Sequence, residues 1–367
     1  MAMSLAAPAD LLLPDARVRT RRLPRRWMSW ATGLFLLASA MGVFLHRSLM
    51  ADAIRDAKSV AARSWVLIIG LVICHRLLLV SQQWAAVPNV QFSRMALATE
   101  ANLGASNAVV GGSAIGTALR VAMWRSWGVD PLGAAVALFL TALCPSFAMW
   151  IIAGAHAWPD LVTGRANRVD LLVGVGAIGF LVVPAVFWVM ALTRPAVAAW
   201  IGGGAQRVIE RVGRRIPAVG RAVAHHPVPA MSEDFRSRAL AVCRRRGALI
   251  LGSAIASQAV LAALLVACLH GVGATGSLDG WGVVRAFALV RVISSFVPIP
   301  GGIGVMELGI VGALTSAGAT RPQAIAALAI YRGFTFFLPI VTGACGALLW
   351  RRRQVVRGPL HSRSLIR

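Results

Sequence analysis

Six long apolar segments constrain this chain more than any other feature of its sequence. They lie at about 28–46, 65–84, 131–155, 169–193, 248–272 and 324–350. Each is close to the length of about 20 residues that an α-helix needs to cross the hydrocarbon core of a bilayer. The chain is 58% apolar and 14% charged, a balance that excludes ordinary soluble domains and disordered chains. The sequence therefore predicts an all-α, polytopic membrane protein with six full transmembrane helices.

Two further apolar regions are interrupted by glycine pairs. We call residues 91–127 the first broken region and residues 282–318 the second broken region; the pairs are Gly111–Gly112 and Gly301–Gly302. Each is predicted to form two short helices joined within the membrane, as a re-entrant hairpin. Two short full spans are the alternative. Either arrangement leaves the orientation of the six long segments unchanged.

The basic residues indicate how the chain is oriented. Lys and Arg number 37 against 13 Asp and Glu, giving a net charge of +24. The tail 1–27 has six basic residues, the linker 194–247 eleven and the tail 351–367 six, whereas the loops 47–64, 156–168 and 273–281 have four, two and none. Because basic loops stay in the cytoplasm, both tails and the linker are predicted to be cytoplasmic. A nucleic-acid partner is not expected, because no soluble domain carries the charge.

The linker separates two predicted membrane halves, 28–193 and 248–350, and several landmarks recur in both. With these orientations, the first broken region starts from the cytoplasmic side and the second from the outer side. The two glycine pairs lie 190 residues apart, and so do Gly128 and Gly318. Asp130–Pro131 and Arg321–Pro322 lie 191 residues apart. Opposite orientation with a sequence echo is typical of inverted-repeat transporters, which bind substrate near the midplane. Alternatively, the glycine pairs only allow close helix packing.

The second broken region contains the densest motif, which runs from Phe296 to Glu307. It includes Pro298, Pro300, Gly301, Gly302 and Gly304. The prolines end a helix and the glycines allow a tight turn before the next helix begins. That next helix would present free N–H groups and its positive dipole end, which suit an anion. A loop at the membrane surface is the alternative.

Glu100 and Glu307 are the acidic residues that we place in the hydrocarbon zone. An ionised carboxylate there needs a basic partner, a proton or water. The candidate partners are Arg120, Arg291 and Arg332, all within apolar stretches. In one interpretation these arginines bind a lipid phosphate through bidentate hydrogen bonds while the carboxylates balance charge or relay protons. In the other, Glu307 forms a static ion pair with Arg332 or Arg291.

Other polar residues are expected to have structural roles. His75 and Arg76 are predicted to extend from the segment 65–84 towards the cytoplasmic surface. The five cysteines show no C-x-x-C spacing, and His225–His226 has no acidic or cysteine companions, so neither a metal nor another cofactor is predicted.

At the Pro298–Glu307 motif the sequence resembles the lysylphosphatidylglycerol synthase transmembrane-region family, a flippase-like membrane domain, over about 28–350. The family's P-x-P-G-G-x-G-x-x-E pattern is present here, and a downstream arginine is matched by Arg332. In the first half, a glycine-rich turn followed by a basic residue resembles Gly111–Gly112, Gly116 and Arg120, although Val109–Val110 replaces the usual proline.

The resemblance implies a lipid-handling membrane unit. We expect it to move a phospholipid or polyprenyl-type lipid between leaflets, with Arg291, Arg332, Glu307, Arg120 and Glu100 contacting the substrate. Some members add a cytoplasmic transferase domain. The tails and linker here are too short for one, so we expect no enzymatic activity and a separate lipid-modifying transferase as a possible partner. The alternatives are a non-transporting scaffold and a membrane enzyme, or an accessory subunit, with Glu307 or Glu100 as acid and base. The Arg-rich, Ala-rich composition favours a bacterial plasma membrane.

Overall fold

The fold is all-helical in the part of the chain that the computed structural model describes. This part comprises residues 60–87, 89–108, 112–164, 168–197, 200, 203, 228–274, 280–296 and 305–357. The helices are α1 Ala62–Ala86, α2 Phe92–Ala108, α3 Gly112–Ser126, α4 Pro131–Val162, α5 Arg168–Thr193, α6 Val228–Gly271, α7 Gly280–Phe296, α8 Val305–Ser316, α9 Arg321–Arg332 and α10 Leu338–Arg357. A π-helical segment, Gly333–Phe337, joins α9 to α10. The predicted all-α class is confirmed.

Within the described residues, five helical stretches are long and apolar enough to cross a membrane. They are Ala62–Ala86, Pro131–Ile152, Gly174–Thr193, Ser232–Gly271 and Arg321–Arg353. Each coincides with one of the predicted long segments. Several predictions concern residues outside the described part of the chain. These residues are the segment 28–46, the tail 1–27, Gly111, Pro298, Pro300, Gly301, Gly302 and Gly304.

Apolar side chains on the outer faces of these helices identify the surface that lipid would cover. Val66 and Ile73 of α1 and Val175 and Val183 of α5 are exposed. An apolar surface this extended is unusual in a soluble monomer and is typical of a membrane-embedded one. The chain is therefore a multi-pass membrane protein.

Three helices run further than hydropathy predicted. α6 begins at Val228 rather than near 248, α4 continues to Val162, and α10 continues to Arg357. The extension of α6 is rich in arginine and alanine, which favour helix as strongly as leucine does. Hydropathy therefore marks where the chain enters the apolar zone rather than where the helix begins, and part of the predicted linker is helical.

α1 and α6 form an antiparallel pair that organises the molecule. At one end, a Cβ atom on Gly271 would lie 3.3 Å from Val60. In the middle, Ser257 Oγ lies 3.0 Å from His75 Nδ1. At the other end, the Arg246 guanidinium lies 4.9 Å from the Trp84 ring centroid.

Each broken region consists of two short helices, as predicted. The first contains α2 and α3, and the second contains α7 and α8. Gly128 and Gly318, with φ of 88° and 100°, end α3 and α8 in the same way. In both cases the glycine N–H bonds to the carbonyl three residues earlier, and the next N–H bonds to the carbonyl five residues before it. These landmarks therefore share a helix-terminating motif that favours glycine.

α2 packs closely along α10. A Cβ atom on Gly104 would lie 2.5 Å from the carbonyl oxygen of Pro339, and one on Gly343 would lie 2.4 Å from the carbonyl oxygen of Glu100. Small residues that bring backbones together are the usual way in which membrane helices associate. This contact brings the first broken region against the last predicted span.

Candidate functional site

Glu100 of α2 accepts hydrogen bonds from two other helices. Arg76 Nη1 of α1 lies 3.2 Å and 3.3 Å from its two carboxylate oxygens. Thr342 Oγ1 of α10 donates to Glu100 Oε2 over 2.5 Å. Of the three predicted possibilities for Glu100, a basic partner, a proton or water, the structure contains a basic partner, but this partner is none of the three arginines that the sequence suggested.

The expectation that Arg76 extends to the cytoplasmic surface is wrong. Besides contacting Glu100, its Nη2 donates to the carbonyl oxygen of Phe334 over 3.2 Å. A carboxylate and a carbonyl within reach satisfy the guanidinium locally, so the side chain has no reason to extend to water. Arg76 therefore joins α1, α2 and the π segment.

The π segment supplies backbone acceptors because its hydrogen bonds skip one residue further than those of an α-helix. Asn107, near the end of α2, donates from Nδ2 to the carbonyl oxygens of Phe336 at 3.1 Å and Thr335 at 3.5 Å. The end of α2 is thus bound to the middle of the last span. π-Helical turns occur frequently at functional sites.

Glu307 of α8 pairs with Arg332, the last residue of α9. The distance from Glu307 Oε1 to Arg332 Nη2 is 2.5 Å, with side-chain exposures of 34% and 13%. The Arg332 guanidinium also lies 5.7 Å from the Phe336 ring centroid. The predicted alternative in which these two residues form an ion pair is therefore what the structure contains, and the carboxylate remains partly accessible.

Arg291 of α7 lies beside the same group of helices. Its Nη2 donates to Gln258 Oε1 of α6 over 3.2 Å, and its guanidinium lies 5.9 Å from the Phe287 ring centroid. Arg291 is close enough to interact electrostatically with His75, as is Arg76. Arg291 and Arg332 are both close enough to the buried Tyr331 to act on it electrostatically.

These residues form one group, which we call the central charge cluster: Arg76, Glu100, Arg291, Glu307 and Arg332. Three guanidinium groups and two carboxylates leave a formal charge of +1. Both broken regions contribute an acid, and both acids reach the last span within a few residues of the π segment. Such a cluster can bind an anion, because it contains one more guanidinium group than carboxylates and a guanidinium can bind an anion through two hydrogen bonds.

Arg120 does not belong to this cluster. It lies on α3, is 8% exposed, and its guanidinium is 5.1 Å from the Trp124 ring centroid. In the described part of the chain it pairs with neither Glu100 nor Glu307. The prediction that Arg120 is a candidate partner for those acids is wrong.

Sequence reasoning missed Arg76 and Thr342 as members of the site. An arginine in the middle of an apolar segment carries the same signal that singled out Glu100, so Arg76 could have been found. Thr342 could not, because its partner is remote in sequence. Among the described residues, no three His, Cys, Asp or Glu side chains are grouped as metal ligands would be.

The apolar helices, the two broken regions and the intramembrane charges define a multi-pass integral membrane domain. Comparison with protein families agrees, since the family described as the lysylphosphatidylglycerol synthase TM region matches residues 21–343. The chain belongs to this family, as the motif predicted. Comparison with curated proteins gives no match.

Proposed function

We propose that this protein binds the phosphate of a membrane lipid at the central charge cluster and moves that lipid between leaflets. The observation that carries the proposal is the cluster itself, with five ionisable side chains contributed by helices α1, α2, α7, α8 and α9. Ionised groups in a membrane are expensive and a buried ion pair is a weak source of stability, so such a group favours a functional role. Its excess of one positive charge suits a phosphate diester.

The proposed layout comprises six full spans and two re-entrant regions in an inverted repeat, with both termini cytoplasmic. In support, Asn107 meets the last span near residue 335, about 21 Å along the helix from Arg321 at 1.5 Å per residue. This is near the middle of a span, as expected for the tip of a re-entrant hairpin. The matching ends of α3 and α8 also favour the repeat.

In the proposed mechanism, the phosphate competes with Glu307 for Arg332 and is also bound by Arg291. Exchange of one anion for another keeps each guanidinium satisfied. The displaced Glu307 carboxylate, whose side chain is 34% exposed, is then solvated by water. The acyl chains stay in the bilayer while the headgroup passes between the broken regions, which open alternately. The substrate class is a phospholipid or polyprenyl-type lipid of the bacterial plasma membrane.

A leaflet-accessibility assay tests the proposal. Proteoliposomes with a headgroup-labelled phosphatidylglycerol are treated with a membrane-impermeant quencher, and the rate at which inner-leaflet label becomes accessible is measured. Wild-type protein should give faster exchange than empty liposomes, and Arg291→Gln should slow it about tenfold, the effect of losing about 1.4 kcal/mol of binding. Arg125→Gln removes an exposed arginine from α3 and is the matched control. Equal rates for wild type and Arg291→Gln would refute the role of Arg291.

An enzyme acting on lipid-linked substrates remains a competing hypothesis, because Glu307 is 34% exposed and can exchange protons. Mass spectrometry of lipids incubated with the purified protein separates the two. New lipid species that disappear with Glu307→Gln would favour the enzyme, whereas unchanged lipids with leaflet exchange favour transport. We propose that any chemical modification of the lipid is carried out by a separate transferase.

A further inference from the structure

Among the described residues, Arg120 is the one buried arginine that the proposed mechanism does not use. At 8% exposure, the residue has lost nearly all its contact with solvent. Its Nε has no hydrogen-bond partner, and no acidic side chain pairs with it in the part of the chain that the structure describes. A buried charge without a counter-ion costs several kcal/mol, about 3–5 kcal/mol when one partner of a buried pair is removed. This arrangement indicates that an anion completes the site.

Gly112 and Gly116 bring α3 close to α2 on the face that also carries Arg120. Gly112, Gly116, Arg120 and Trp124 follow one another at four-residue intervals on α3, and all four are buried. A Cβ atom on Gly112 would lie 2.4 Å from the carbonyl oxygen of Ala105, and one on Gly116 would lie 2.4 Å from that of Asn102. Continuing this antiparallel register places Arg120 opposite Ala98 of α2. Ala98 is fully buried and apolar, so its side chain offers the guanidinium no hydrogen-bond acceptor.

Other polar atoms along this face also lack partners within the described residues. The Trp124 side chain is fully buried, and its indole Nε1 has no acceptor. The Oδ1 atom of Asn102, beside Gly116, is buried and has no donor. Buried polar groups are nearly always hydrogen-bonded, so each such group calls for a ligand or an ordered water. Two donors and one acceptor along one face match a phosphate that carries a hydroxyl-bearing substituent.

This face is separate from the central charge cluster. Trp124 belongs to the core formed with Met95 and Ala137, whereas Tyr331 and Phe287 belong to the other core. Ser126, at the end of α3, accepts a hydrogen bond of 3.1 Å from Trp350 Nε1, next to Arg351. Arg120 therefore lies about 9 Å along the helix from the end of the molecule that carries the basic C-terminal residues.

We propose that Arg120 and Trp124 form a second binding site for a phosphate mono- or diester, reached from the end of the molecule that carries Trp350. The guanidinium binds two phosphate oxygens, the Trp124 indole N–H donates to a third, and the indole ring stacks under the guanidinium. In the described part of the chain, no carboxylate competes for the phosphate here, in contrast to the central charge cluster. The site therefore favours a net anionic headgroup. The inference rests on the proposed function only in taking membrane lipid as the source of the phosphate.

Lipid retention by the full-length protein tests this site directly. The protein is transferred into nanodiscs of phosphatidylcholine containing one-tenth phosphatidylglycerol, and the phosphatidylglycerol molecules that remain bound are counted by native mass spectrometry. Arg120→Gln should weaken retention of one phosphatidylglycerol about tenfold. Arg120→Lys, which retains the charge but not the planar fork, should weaken it several-fold. Arg125→Gln, an equal loss of charge on the same helix, should retain the wild-type number. Unchanged retention by Arg120→Gln would overturn the proposal.

A competition experiment distinguishes a lipid phosphate from a soluble phosphate as the ligand of this site. Inorganic phosphate is titrated into the same nanodiscs, and displacement of the Arg120-dependent lipid at millimolar phosphate would assign the site to a free anion instead of a lipid. Failure of phosphate to displace it supports the lipid.

A second measurement uses protein with Arg120 intact, in case Arg120→Gln does not fold. Emission spectra are recorded during titration with phosphatidylglycerol, and the difference between wild type and Trp124→Phe isolates the Trp124 component. A saturable change in that component is expected; identical titrations in both proteins would overturn the proposal. Neither readout requires transport, so a failed leaflet-exchange assay leaves this inference standing, and a failed binding assay leaves the central charge cluster untouched.

Discussion

Replacement of Glu100 by glutamine tests whether the central charge cluster is coupled as its geometry indicates. Glutamine preserves the shape and can still accept the hydrogen bond from Thr342, but it removes the charge that balances Arg76. Breaking a fully buried pair costs about 3–5 kcal/mol. Arg76 and Glu100 remain 16% and 21% exposed, and the carbonyl of Phe334 still binds Arg76, so we expect about 2 kcal/mol of destabilisation.

A double-mutant cycle isolates the pair. Arg76→Met alone leaves Glu100 with the Thr342 hydroxyl but no cation, and should also cost about 2 kcal/mol. The double variant removes both charges, so its cost should fall short of the sum of the single costs by about 1–2 kcal/mol. The free energy of unfolding is measured by titrating dodecyl sulfate into mixed micelles and following tryptophan fluorescence.

The exposed pair Asp130–Arg238 is the matched control. It also joins a carboxylate to a guanidinium that is remote in sequence, but the two side chains are 52% and 51% exposed. The corresponding cycle with Asp130→Asn and Arg238→Met should give no measurable coupling, because surface pairs are screened by water. A coupling between Arg76 and Glu100 as small as that of the control would refute the idea that the cluster is a buried, coupled unit.

Three further variants test the packing around the cluster. Gly104→Ala should destabilise the protein by about 1–3 kcal/mol, because its Cβ would lie 2.5 Å from a carbonyl oxygen of α10, whereas Gly70→Ala, with no atom within 4 Å, should not destabilise it. Asn107→Ala should cost about 1–2 kcal/mol by removing the donor to the carbonyl oxygen of Phe336. Thr320→Ala should cost about 1 kcal/mol by removing the capping box of α9. All four unfolding free energies come from the same titration, and unchanged values for Gly104→Ala, Asn107→Ala and Thr320→Ala would contradict these contacts.

The sequence determined the helices well because segment length and hydropathy depend on local composition alone. Five of the six long segments coincide with membrane-length helices, and both broken regions form two short helices. Gly128 and Gly318, which recur at the same spacing as the glycine pairs, both end helices, because a helix that ends in a left-handed residue favours glycine. Helix ends were less predictable where arginine-rich stretches continue a helix beyond the apolar zone, as at Val228.

The pairing of charges could not be read from the sequence in the same way. Glu100 lies 24 residues from Arg76 but 242 from Thr342, and these contacts depend on which helices pack together. The sequence showed that Glu100 needs a partner, because an ionised carboxylate is costly in an apolar environment. Which residue is that partner depends on how the helices pack, and the sequence does not show this packing. Gly333 opens the π segment and Pro339 follows it. The segment was still missed, because a proline also lies inside a continuous span, as Pro184 does in α5.

The π segment explains how the last span can meet both broken regions at once. Glu307 contacts Arg332 immediately before the segment, and Glu100 contacts Thr342 after it. An α-helix advances about 100° per residue, and a π-helical turn contains about one residue more than an α-helical turn. If residues 333–337 continued as an α-helix, the face bearing Thr342 would rotate by about 100° relative to Arg332. At most one of the two acids could then keep its partner on the last span. The extra residue in this turn is therefore what allows one helix to bind acids from both halves of the chain, and it also frees the carbonyl oxygens that bind Arg76 and Asn107.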